Sequence, residues 1–189
     1  MTVVRRMRRI PACAIAFSLT AVAFGQTPPS DQHMDHGARK MMKSPDTAFA
    51  IKAAQGGLAE VKLGRLAAEK GASPDVKAFG QQMVDDHGKA NEQLKAVAES
   101  EGMTLPTDVN AKQQAMYDRL SQLSGAQFDS AYIKGMLMDH QEDIKDFKKE
   151  AQSGADEKIK SFASQTLPVI EGHLDKLKTI QPNIAGSAK

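Results

Sequence analysis

The chain has 189 residues, of which 41% are hydrophobic and only 5% aromatic, with no tryptophan and one cysteine. That length suits one domain with a full core and is too short for two, and the abundance of Ala, Met, Leu, Gln, Lys and Glu favours helix over sheet. The formal charge of +2 misleads: four of the 25 basic residues are Arg5, Arg6, Arg8 and Arg9 in an acid-free segment, and the remainder holds 21 basic against 23 acidic residues with no patch suited to nucleic acid.

Residues 1–25 read as a signal peptide. MTVVRRMRR is a charged start, IPACAIAFSLTAVAF an apolar run, and Ala23, Phe24 and Gly25 a cleavage region before Gln26. The run is shorter than the ~20 apolar residues of a membrane span, so an anchor is the weaker reading and a transmembrane segment is not expected after cleavage. Cys13 would leave with the signal, so the mature chain would carry no disulfide, and the predicted location is the periplasm. Residues 26–45, QTPPSDQHMDHGARKMMKSP, are polar, proline-bearing and aperiodic, and are expected to form a flexible leader. His33, Met34, His36, Met41 and Met42 offer imidazole and thioether ligands that suit copper, although a solvated tail is the simpler reading of so short a match.

From residue 46 to 181 the spacing predicts a four-helix bundle. The first helix, about Pro45 to Glu69, places Phe49, Ala50, Ala53, Gly57, Val61, Gly64, Ala67 and Ala68 on one side, with Glu60 inside that arc. Gly57 and Gly64 flank the carboxylate and leave room for close helix packing or for a ligand. Gly71-Ala72-Ser73-Pro74 stops this helix and starts the next, which must run antiparallel. The second helix, about Pro74 to Glu101, buries Val76, Phe79, Gly80, Met83, Val84, Ala90, Leu94, Val97 and Ala98, with His87 at the centre of the arc and Asp86 on its flank.

A connection of roughly 25 residues follows. Ala111–Leu123 can form a short helix inside it, burying Ala115, Met116, Leu120 and Leu123, and a link this long can cross the length of a bundle. The third long helix, about Ala126 to Ala151, buries Phe128, Tyr132, Ile133, Met136, Ile144 and Phe147. Its inward arc also takes in His140, Asp143 one turn later, and Asp129 at the margin. After Ser153-Gly154 the last helix, about Asp156 to Ile180, buries Ile159, Phe162, Ala163, Thr166, Leu167, Ile170, Leu174 and Leu177. His173 lies on the margin of that arc, and residues 182–189 are expected to be a disordered tail.

Lone polar groups inside a bundle are costly, so Glu60, His87, His140, Asp143 and His173 are candidate ligands of one transition metal ion (Zn, Cu, Fe or Mn), if they share a level. Counting from the hairpins at 1.5 Å per residue puts Glu60 and His87 about 4–5 Å apart along the axis, and His140 and His173 about 7–8 Å. His173 is therefore the least secure member. Glu-x-x-His pairs are absent, since Val84, Leu137 and Ile170 stand three residues before the histidines, so a standard di-iron oxidase is unsupported. No nucleophile motif or phosphate loop appears. A non-enzymatic envelope module, with the histidines in a buried hydrogen-bond network, stays open beside the metal reading.

The stretches AAQGGLAEVKLGRLAAEKGASPDVKAFGQQMVDDHGKANEQL at 53–94, FDSAYIKGMLMDHQEDIKDF at 128–147 and LPVIEGHL at 167–174 resemble a family of exported bacterial proteins known as domain of unknown function 4142. The resemblance implies an all-α, ferritin-like four-helix bundle with a long crossover between its second and third long helices, and export. It brings no activity. Gly80 and Gly88 stand where the family pattern leads one to expect Ala and a small hydroxyl residue.

Overall fold

A computed structural model describes residues 44–187, with side chains through Asn183. The signal peptide expected at 1–25, and His33, Met34, His36, Met41 and Met42 of the expected leader, lie outside the described residues. Five helices follow in order: α1 Pro45–Lys70, α2 Pro74–Ser100, α3 Ala111–Ser121, α4 Gly125–Ser153 and α5 Glu157–Ser187. Ser44 and Ser73 cap α1 and α2 through their side-chain oxygens, each followed by Pro at the first helical position. Asn110 and Gln113 close a reciprocal capping box on α3.

Two antiparallel hairpins, α1–α2 and α4–α5, make the bundle, with α2 against α5 and α1 against α4. Asp129 at the start of α4 accepts hydrogen bonds from Ala72 N and Ser73 N, so α4 begins at the end where α1 turns into α2. Lys158 near the start of α5 pairs with Glu101 just beyond α2, which places the end of α2 at the other hairpin. The connection holding α3 must therefore travel the full length of the bundle, which is the crossover of ferritin-like topology.

The two hairpins are joined to each other by matching clasps. Asp46 in the first turn of α1 accepts from Ala155 N and Asp156 N, as Asp129 does from Ala72 N and Ser73 N. Asp46 and Asp129 are 83 residues apart, and so are Gly71 and Gly154, and Glu60 and Asp143. Each carboxylate holds two hairpin amides that lack intrahelical partners, and such charge-assisted bonds are worth about 1.5–3 kcal/mol each. Asp129→Ala is expected to lower unfolding free energy in urea by about 3 kcal/mol, the lower end for two such bonds; a loss below ~0.5 kcal/mol would remove this role.

Glu150 lies buried beside Asp46 and shares a hydrogen bond with it. Burial first, then that bond and the Asp46 charge, push its carboxyl up from 4.5 to about 7. A carboxyl raised on folding adds stability that is full below its unfolded value and is lost as pH rises through the folded one. Unfolding free energy should thus fall by about 2 kcal/mol between pH 4.5 and pH 8 from this group, the full shift being reduced by solvent screening, and Glu150→Gln should flatten that part of the profile in denaturant titrations.

Several expectations need correction. Ala115 is exposed rather than buried, because α3 is a single surface helix that covers α1 and α4 through Leu120, Met116 and Leu123. Leu63 and Leu66 are buried although the single arc on α1 omits them, since α1 packs against α2 on one side and α3 and α4 on the other. The expected tail is helical as far as Ser187, because Pro182 removes one backbone bond and propagation continues past it.

Candidate metal centre

At mid-bundle, Glu60 comes from α1, His87 from α2, His140 from α4 and His173 from α5. All four are buried, at 2%, 5%, 0% and 1% exposure. His173 reaches the level of the others because α4 runs to Ser153 and α5 starts at Glu157. That shortens the axial mismatch with His140 from five residues to three, about 4.5 Å at the helical rise.

The three imidazoles form a triangle, with ring centroids 5.8 Å apart for His87–His140, 5.2 Å for His87–His173 and 5.5 Å for His140–His173. Each has one nitrogen engaged. His87 Nδ1 is 2.7 Å from Glu60 Oε2, His140 Nδ1 donates to the Met136 carbonyl at 3.1 Å, and His173 Nε2 is 2.9 Å from Asp86 Oδ2. The other nitrogens, His87 Nε2, His140 Nε2 and His173 Nδ1, are buried without a hydrogen-bond partner. Because the Met136 carbonyl and the ionised Asp86 can only accept, these bonds fix the tautomers of His140 and His173 and leave His140 Nε2 and His173 Nδ1 with a free lone pair; Glu60 does the same for His87 Nε2 when its carboxyl is ionised.

One ligand nitrogen of each histidine lies within 4.8 Å of the other two. Some point is therefore within about 2.8 Å of all three, and bonds of ~2.0–2.1 Å would need each ring to move by only about 0.7 Å. Phe79 walls the group, its ring 6.4 Å from His140 and 6.2 Å from His173.

Burial lowers all three imidazoles, His87 to about 4 and His140 to about 3, with His140 held down further by its two histidine neighbours. At neutral pH they are uncharged, the form in which imidazole binds metal. Glu60 is raised by burial and then by the charge of Asp139. Burial raises Asp86 too, but hydrogen bonds from His173 and Gln82 outweigh it and hold the carboxyl below its usual range.

A second group lies alongside. One oxygen each of Glu60, Asp139 and Asp143 lie within 4.8 Å of one another. Burial pushes Asp143 up to about 9, helped by the charges of Glu60 and Asp139, and raises Asp139 as well. All five residues expected from the sequence thus come together, but in two parts: the histidines in one, Asp143 in the other, with Glu60 touching both. Asp86 and Asp139 are additions. Asp86 was legible only as a flank of the His87 arc, and Asp139 carried no signal apart from preceding His140.

The glycines around Glu60 serve packing. A Cβ at Gly57 would overlap the Asn91 side chain, and one at Gly64 would stand 2.6 Å from the Gly80 carbonyl. Glu142, next to Asp143 in the chain, points away from the cluster and pairs at the surface with Lys52 at 2.5 Å.

The helix order, the crossover and the mid-bundle cluster define a ferritin-like helical protein. The chain belongs to the family described as domain of unknown function (DUF4142), whose model matches residues 31–180. Two crystal structures share the fold. A DUF305 fragment from Deinococcus radiodurans is 13% identical, with a TM-score of 0.66 over 75% of this chain and 97% of its own. A DUF305 protein from Streptomyces coelicolor, titled "putative secreted protein", is 12% identical, with a TM-score of 0.65 over 76% of this chain and 96% of its own. No curated protein matches in sequence. Among the described residues no helix is long and apolar enough to cross a membrane.

Proposed function

We propose that this is an exported, periplasmic protein that holds one transition metal ion on His87, His140 and His173, in a buffering or stress-related role. The observation carrying the proposal is the set of three buried, unpartnered imidazole nitrogens, each opposite a nitrogen already held by Glu60, Met136 or Asp86. Three orphaned buried ring nitrogens cost several kcal/mol unless something occupies the space between them. A carboxylate or carbonyl behind each ring is the arrangement that orients imidazoles around an ion. Three nitrogen donors favour zinc or copper over harder cations. Burial of all three rings favours retention of the ion over turnover of a substrate. Export is supported by the charged and apolar order of residues 1–25.

Protein purified without a polyhistidine tag and equilibrated with zinc should carry one equivalent on the histidines, and a His87→Ala/His140→Ala variant should lose it. Equal zinc content in the two refutes the proposal. The Glu60–His87 and Asp86–His173 bonds also favour a second reading, in which the histidines form only a structural network. That reading predicts loss of stability in the variant and no difference in metal.

A further inference from the structure

We infer that Glu60, Asp139 and Asp143 form a second cation site beside the three histidines, one that takes a hard divalent ion through oxygen alone. The inference extends the metal-binding reading, but the carboxylate site does not require the histidine site to be filled.

Acidic residues often cluster at a surface without binding anything, so the grouping alone proves nothing. Here the central member is 2% exposed, and its Oε1 is buried with no hydrogen-bond partner. Oε2 is committed to His87 Nδ1, while Oε1, 3.5 Å from the His140 Nδ1 that bonds Met136, accepts no hydrogen bond and belongs to the carboxylate that reaches Asp139 and Asp143. Of the lysines facing these carboxyls, Lys52 is spent on Glu142 and Asp146 at the surface, and Lys112 acts on Asp139 alone of the three. Against two of the three, Glu60 and Asp143 but not Asp139, lies a cavity of about 20 Å³ that His87 and Asn91 also line. That is room for a single water or small ion.

The donor set decides the kind of ion. Three carboxylates without nitrogen or sulfur suit Mg²⁺, Mn²⁺ or Fe²⁺, whereas Ca²⁺ wants six to eight oxygens and more space than this cavity gives. Glu60 would then serve two ions with different atoms. Its Oε2 orients the His87 ring from behind, and its Oε1 binds the second ion directly. Positive charge on Oε1 weakens Oε2 as an acceptor for the His87 N–H, so filling either site should alter affinity at the other.

The test uses the full chain loaded with one equivalent of zinc and titrated with Mn²⁺, with free Mn²⁺ followed by electron paramagnetic resonance. Wild type should bind one Mn²⁺, and Asp139→Asn/Asp143→Asn should bind it at least tenfold more weakly while keeping its zinc. The two amides are isosteric with the acids and, like the Asp143 carboxyl at neutral pH, carry no charge, so the metal-free variant should melt no lower than wild type. If wild type binds no Mn²⁺, or the variant binds it equally well, the inference is overturned. A His87→Ala/His173→Ala variant separates the two sites. Retention of Mn²⁺ there with loss of zinc supports both, while zinc retained there refutes the histidine site and leaves the carboxylate result standing on its own.

Discussion

Gly80→Ala should lower unfolding free energy by about 3 kcal/mol, at the upper end of overpacking costs, and should reduce the melting temperature by roughly 10 °C in a domain of this size. A Cβ at Gly80 would stand 2.6 Å from the Gly64 carbonyl oxygen, 2.7 Å from Ala68 N and 2.9 Å from Ala67 Cβ. Two of those atoms are backbone and the third is fixed to it, so no side chain can swing aside. The helices α1 and α2 would have to separate instead. Gly88, two turns further along α2, is the control, since its added Cβ meets nothing within 4 Å. Gly88→Ala should be neutral or stabilise by up to ~1 kcal/mol through helix propensity. If Gly80→Ala melts within 2 °C of wild type, the close crossing is not what holds these helices. The crossing lies one turn from Glu60 and two from His87, so widening it should also lengthen the 2.7 Å bond between them and weaken zinc binding.

Gly80 also marks what the sequence could and could not tell. Its place on the buried arc of α2 followed from a period of 3.6. That it is held there by the backbone of another helix did not, and the family pattern with alanine at that position points the other way. The four long helices, the crossover and the inward positions of Glu60, His87 and His140 were legible because burial of a helix face repeats along the chain. The partners were not. Asp86 reaches His173 from a half-exposed margin, 87 residues away in the chain, and no local pattern encodes that pairing. The placement of His173 depended on hairpin ends being right to one residue. The division of the site into a nitrogen half and an oxygen half is set by side-chain rotamers: His140 and Asp143 share a helix face, yet turn to different groups. Asp46 and Asp129 could have been found by comparing the chain with itself at an offset of 83 residues, where Gly71-Ala72 also meets Gly154-Ala155.

Zinc should raise the melting temperature of the metal-free protein more than any single substitution lowers it. An ion that binds only the folded chain stabilises it by about 4 kcal/mol at a thousandfold excess over Kd, or roughly 10 °C or more here. The sharpest variant is His173→Ala, because the residue lies at the margin of its helical arc and its ring is nevertheless 1% exposed. Removing it deletes one of three nitrogens, so the zinc-dependent rise should fall to near zero. Asp86→Asn should act through the ring it positions. The amide oxygen can still accept from His173 Nε2–H, but without charge, and such supporting groups typically change metal affinity 10–100-fold. The rise for Asp86→Asn should therefore shrink by about 1.4–2.7 kcal/mol without vanishing. A purely structural histidine network predicts the opposite pattern: both variants would melt lower without metal, and zinc would move them no differently from wild type. An unchanged zinc response in His173→Ala would end the coordination proposal, because no ion held by these imidazoles could be indifferent to losing one of them.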